Sequence, residues 1–298
     1  MEAAALPTPP VKHAIAWGVA CGAGSALCWS FGFVAARQGV NVGLSPLVIA
    51  LHRFVWPGLA FLPFLAANGL ADLGGIGWRR GTALALSGGL PLALFSYIGY
   101  LFVPLGHGAI IQPACAAVGG MVLAHLVLKE ALPPRRIVGA VAIVIGLGVI
   151  GAEALGTLGR HGVTGDLLFV AAGSCFAIFG MLLRLWHIPA MSAVAVTSVL
   201  SLFGLPILLT KVDNMVAAGF YENLMQAVVQ GGFAGAAAIY LFTRAVVLLG
   251  VSRAALFPAL VPPFTLLIGA IALGEIPSVS QLIGLAIVVV GFRLTQQA

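Results

Sequence analysis

The chain has 298 residues, 61% of them hydrophobic and only 7% charged, with a mean hydropathy of +1.13 and a formal net charge of +6. A water-facing surface on a domain of this length needs roughly a quarter charged residues, so the composition excludes a soluble globular protein. The basic excess reads as loops that hold a membrane topology, and no nucleic-acid partner is expected.

Residues 1–13 form a short polar tail without the basic start and cleavage site of a signal peptide, so the first apolar run is expected to remain as an anchor. Runs of about the 20-residue length that crosses a bilayer then follow one another. The first covers 14–37, where Gly18 and Gly22 give a face for close helix contact. The second covers 45–67. The stretch NGLADLGGIGWRR after it is too polar to cross and is expected in the interface, anchored by Trp78. The third covers 81–104, the fourth 108–128 and the fifth, opened by Pro133 and Pro134, 134–152. Beyond an external linker at 153–162 come runs at 163–185, 189–210, 224–249 and 252–273. A tenth run follows, opened by Ser278, which can cap the helix while Gln281 reaches back to it. Cys21, Cys28, Cys115 and Cys175 all lie inside apolar runs without metal or disulfide spacing and read as packing residues. Neither a metal nor a cofactor is expected.

The stretch from Pro113 to Gly146 recurs at Pro258 to Gly291, 145 residues later. Glu130 falls on Glu275, Gly139 on Gly284 and Gly146 on Gly291. Acidic residues number only eight, so a shared acid in register with proline and glycine pairs marks a duplication. With the N-terminus inside, ten Lys and Arg lie on the cytoplasmic side against three outside (Arg37, Arg160 and Lys211), which places both termini in the cytoplasm. Five spans per half is odd, so the halves at 14–152 and 163–298 are inverted relative to one another. Carriers built this way close alternately over a site near the midplane. The expected fold is therefore all-α, ten transmembrane helices in a 5+5 inverted repeat.

The motif LVLKE at Leu126–Glu130, its counterpart IALGE at Ile271–Glu275, the proline ahead of each and the glycine-striped span after each resemble the drug/metabolite transporter superfamily, in particular its EamA branch. Arg53, in SPLVIALHRF, is similar to an arginine of that branch. The resemblance implies a multi-pass carrier of the bacterial inner membrane, working as monomer or homodimer. It would export small metabolites such as amino acids from a cavity between the halves.

Arg53 lies about 12 Å into its span at ~1.5 Å per residue, where an arginine costs at least ~2.5–3.5 kcal/mol without a partner or a wet cavity. It serves either a substrate carboxylate or phosphate, or backbone carbonyls at a helix break. Tyr97 and Tyr100 share a face at i,i+3, and Gln112 precedes Pro113, whose ring frees a carbonyl. With Trp29 and Trp56 they form a candidate lining, and Tyr240 and Arg244 are the closest counterparts in the second half. Ordinary packing is the alternative for each taken singly. His52, about 100° from Arg53 on a helix, reads as packing. Glu130 and Glu275, with Pro113 and Pro258, read as structural turns in which each carboxylate meets the dipole of the helix that follows it. No acid falls mid-span, which disfavours permanent cations as substrates. HExxH, a buried aspartate pair, a Ser–His–Asp set and a P-loop are all absent, so the chain is expected to be neither an enzyme nor an ATP-driven pump. The alternatives are a non-transporting scaffold or receptor and, further off, an intramembrane enzyme.

Overall fold

The computed structural model describes residues 11–99, 102, 105–150, 162–273 and 277–296, and these are almost wholly helical. In the first half, α1 spans Val11–Asn41, α2 Pro46–Ala67, α3 Trp78–Gly88, α4 Leu90–Gly99, α5 Leu105–Leu126 and α6 Pro134–Ile150. In the second, α7 spans Gly162–Leu185, α8 Ala190–Leu200, α9 Leu205–Leu209, α10 Val212–Ala218 and α11 Phe220–Gln226. A π-helical stretch, Ala227–Ala237, leads into α12 at Ala238–Leu249. Then come α13 at Val251–Ala254, a 3-10 turn at Phe257–Leu260, α14 at Val261–Leu273 and α15 at Val279–Gln296. Among the described residues, eight helical stretches are long and apolar enough to cross a membrane; Ile111–Leu126 is apolar but shorter.

The helices close into a ring. α2 packs on α8, α8 on α3, α3 and α4 on α7, α7 on α5, α5 on α13 and α14, α14 on α1, α1 on α12, and the π stretch back on α2. Neighbours in this circuit come alternately from before and after residues 151–161. α6 and α15 lie beside the ring and pack chiefly on each other. Their glycines explain the closeness: a Cβ on Gly139 would stand 2.6 Å from the Gly291 carbonyl, and one on Gly284 2.7 Å from the Gly146 carbonyl. Small residues that let backbones meet replace the hydrophobic drive that lipid removes. Gly18 and Gly22 on α1 instead make room for side chains, those of Leu249 and Phe257.

Local sequence sets the helix ends. Ser45 accepts from the Val48 N–H at the start of α2, and Ser278 and Gln281 form the expected reciprocal cap, with Ser278 N donating to Gln281 Oε1 (3.0 Å) and Gln281 N to Ser278 Oγ (3.3 Å). The third apolar run is broken at Gly89. There the Leu90 N–H donates to Ser201 Oγ (3.2 Å), which in turn donates to the Thr197 carbonyl (2.7 Å). Trp78 opens α3 and donates from its indole to the Ala71 carbonyl (2.8 Å). Pro113 sits inside continuous α5, whereas Pro258 lies in a 3-10 turn, so the two aligned prolines have different local structures.

Candidate functional site

A polar cluster crosses the ring near the C-terminal end of α4. Buried Tyr97 donates its hydroxyl to Gln230 Oε1 (3.3 Å), and Gln230 donates from Nε2 to the Gly32 carbonyl (2.6 Å). α4 and the π stretch are not neighbours in the ring, so this link runs through its interior. One turn earlier, Gln226 donates to the Ala35 carbonyl (2.6 Å) and to Glu222 Oε1 (2.8 Å), while its own Oε1 is buried without a partner among the described residues. Gln112 accepts from Ser96 Oγ (2.9 Å). Sequence reasoning passed over Gln226 and Gln230; the signal was two amides at i,i+4 inside an apolar run.

Arg53 stands beside this cluster. Its backbone carbonyl abuts Gly235 of the π stretch, its Nε is buried with no hydrogen-bond partner among the described residues, and its guanidinium lies 5.9 Å from the Phe54 ring centroid. His52 is fully buried and has a different role. The Trp56 indole N–H donates to His52 Nδ1 (2.5 Å), so the ring proton is on Nε2, which donates to Asn223 Oδ1 (3.2 Å). Asn223 donates on to the Met215 and Gly219 carbonyls (2.6 and 2.7 Å). The histidine is thus a neutral bolt between α2 and the α10–α11 turn. Trp56 is the outer end of that bolt and is 37% exposed.

Trp29 is buried edge-on to Phe176 (5.2 Å between centroids) and beside Phe242 (5.7 Å), and its indole N–H has no partner among the described residues. Phe176 and Phe242 stand 4.6 Å apart, so rings from α1, α7 and α12 meet inside the circuit. Tyr240 and Arg244 do not join the cluster; they line a separate cleft with Trp17 and Cys21. Tyr100 and Glu275 lie outside the described residues.

Glu130 meets a helix end other than the one expected. The sequence reading paired it with the helix after it, which begins at Pro134. Instead its Oε1 accepts from the Val251 N–H (2.9 Å), and its Oε2 from the Ser252 N–H (3.0 Å) and hydroxyl (2.7 Å). Arg136 Nη1 donates to the same Ser252 oxygen (2.8 Å). Gly250, at φ +82°, lets the chain turn directly against the carboxylate: a Cβ there would lie 2.9 Å from Glu130 Oε1. A local dipole argument misses this because the orphan N–H groups at a helix start can be met from anywhere in the fold. At the same end, the Arg80 guanidinium lies 5.7 Å from the Trp186 ring centroid. At the other end, Asn214 accepts from the Ser45 N–H (2.9 Å) and donates to the Gly43 carbonyl (2.9 Å).

The profile of the EamA-like transporter family matches residues 16–152 and again 163–296. The chain belongs to the EamA-like transporter family. With its apolar helices, that makes it a multi-pass membrane transporter of the drug/metabolite superfamily. A solved structure titled only "Crystal structure of protein" superposes with a TM-score of 0.70 at 18% identity, covering 96% of this chain and 98% of its own, and thus shares the fold. No curated protein matches the sequence. The amides and tyrosine that cross the ring, with Trp29 and the neighbouring Arg53, make the candidate site.

Proposed function

We propose that the protein is a ten-span, secondary-active or facilitative exporter of small carboxylate-bearing metabolites such as amino acids. Its two five-span repeats, 14–152 and 163–298, are inverted and open the ring alternately, with both termini in the cytoplasm of a bacterial inner membrane. The observation that carries the substrate reading is Arg53, whose carbonyl abuts the π stretch and whose buried Nε has no hydrogen-bond partner among the described residues. No acid is found in the middle of any described span to neutralise it. A substrate carboxylate supplies that charge, the free amide oxygen of Gln226 suits an ammonium, and the Trp29, Phe176 and Phe242 rings receive an apolar side chain. Alternating access is supported by the interleaving of the halves around the ring and by different sets of ties at its two ends.

The test is a thermal-shift screen of amino acids and organic acids on purified protein, followed by flux of the hits in proteoliposomes. Arg53→Ala is expected to abolish flux while the protein stays folded in the membrane. Unchanged transport kinetics would remove Arg53 from the site. An intact protein that moves none of its thermal-shift ligands would favour the receptor alternative.

A further inference from the structure

We infer that the cleft between α1 and α12 binds the phosphate of an anionic phospholipid. It is a cavity of about 200 Å³ lined by Trp17, Ala20 and Cys21 on one helix and by Tyr240, Leu241 and Arg244 on the other. Trp17 with Cys21, and Tyr240 with Arg244, are each one helical turn apart, so two side-chain rows look onto one gap. Trp17 is 63% exposed and Tyr240 38%, so the cleft opens on the outer wall of the ring, where lipid lies.

Arg244 precedes the end of its span at Gly250 by six residues, about 9 Å at ~1.5 Å per residue. A guanidinium at that depth on a lipid-facing wall needs a counter-charge or a path to water. The cleft lining has no acid, and the carboxylate of Glu130 at this end of the ring is already held by Val251 and Ser252. Among the described residues no acid faces this cleft, and the leaflet presents phosphodiesters at this end of the span, toward which the long arginine side chain can extend. A guanidinium binds phosphate through paired N–H donors, and tryptophan and tyrosine are the side chains that settle at headgroup level. An arginine that only extended toward water would have no use for a recess with aromatic rims. The cleft admits a phosphate and its glycerol, leaving the acyl chains along the outer faces of the helices. This inference is independent of the role of Arg53.

The test is native mass spectrometry of the purified full chain with phosphatidylglycerol or phosphatidylcholine, comparing the parent with Arg244→Gln and with Arg79→Gln, an exposed arginine outside the cleft. Arg244→Gln is expected to lower the phosphatidylglycerol adduct roughly tenfold or more, and Arg79→Gln to leave it unchanged. Phosphatidylcholine, with the same phosphate but no net charge, should bind more weakly. Equal retention of phosphatidylglycerol by Arg244→Gln overturns the inference. So does displacement of the lipid by millimolar glycerol 3-phosphate, which would make the ligand a soluble organophosphate. Should Arg244→Gln fail to fold, Trp17→Ala and Tyr240→Ala on the exposed rims carry the test, and undiminished adducts in both overturn it.

Discussion

Replacing Glu130 by Ala is expected to loosen one end of the ring without unfolding the protein. The carboxylate accepts two backbone N–H groups and one hydroxyl at 2.7–3.0 Å, all from the start of the helix at Val251. Bonds to a charged acceptor contribute ~1.5–3 kcal/mol each when buried, but this group is half-exposed and water replaces part of the loss. A net ~2–3 kcal/mol is therefore reasonable, which shifts an open–closed equilibrium roughly 30- to 150-fold. Spin labels at the exposed positions Val127 and Val247, on a background lacking Cys21, Cys28, Cys115 and Cys175, would report the separation across this end. The parent should give a short distance, and Glu130→Ala should add a longer population. Ser252→Ala, which removes only the hydroxyl, should add less. A Glu130→Ala distribution superimposable on the parent in folded protein would refute the idea that this contact holds the end shut.

Further outcomes follow from the packing. Gly139→Leu should drive α6 off α15, because even a Cβ there would lie 2.6 Å from the Gly291 carbonyl; a melting temperature unchanged in detergent would contradict this. Ser201→Ala should cost ~1–2 kcal/mol by orphaning the buried Leu90 N–H at the helix break, measurable as a lowered denaturation midpoint. Trp29→Phe keeps an aromatic edge against Phe176 but removes the unpartnered N–H and part of the buried indole volume. Its melting temperature should fall modestly through the lost volume, and its KM should rise for substrates that accept that hydrogen bond and stay unchanged for those that do not.

Much of this was legible in the chain because membrane burial writes itself into local patterns. Run lengths, the Gly18–Gly22 face and the Ser278–Gln281 cap depend on residues within a few positions of one another. Arg53, Tyr97, Gln112 and Trp29 stood out as polar or aromatic groups in apolar runs, and the ring brings Tyr97 and Gln112 into hydrogen-bonded networks. What could not be read was which residues meet across the fold. Glu130 finds its partner 121 positions away, and Tyr97 finds Gln230 133 away. The tie between the Trp56 indole N–H and the buried imidazole beneath it was not legible either, because His52 read as packing alone. Gln226 and Gln230 were visible as amides four apart in an apolar run, but their partners on α1 and α4 lie far away in sequence.

The π stretch makes a sharper claim, because neighbouring glycines in it should respond with opposite signs. A Cβ at Gly232 meets nothing within 4 Å, so Gly232→Ala should act only through the backbone, stabilising the helix by ~0.5–1 kcal/mol. A Cβ at Gly235 would press into the backbone carbonyl of Arg53, which no side-chain rotation can relieve. Gly235→Ala must therefore push the π stretch away from α2 beside Arg53. That shift separates Arg53 from the Tyr97–Gln230 link, so the variant should lose transport even where it still folds. Gly231→Ala, whose Cβ would sit 3.1 Å from the His52 carbonyl, should fall between them. Melting curves and flux on the three variants decide the matter. Equal behaviour at 232 and 235 would mean that the close approach of these two helices does not position the site.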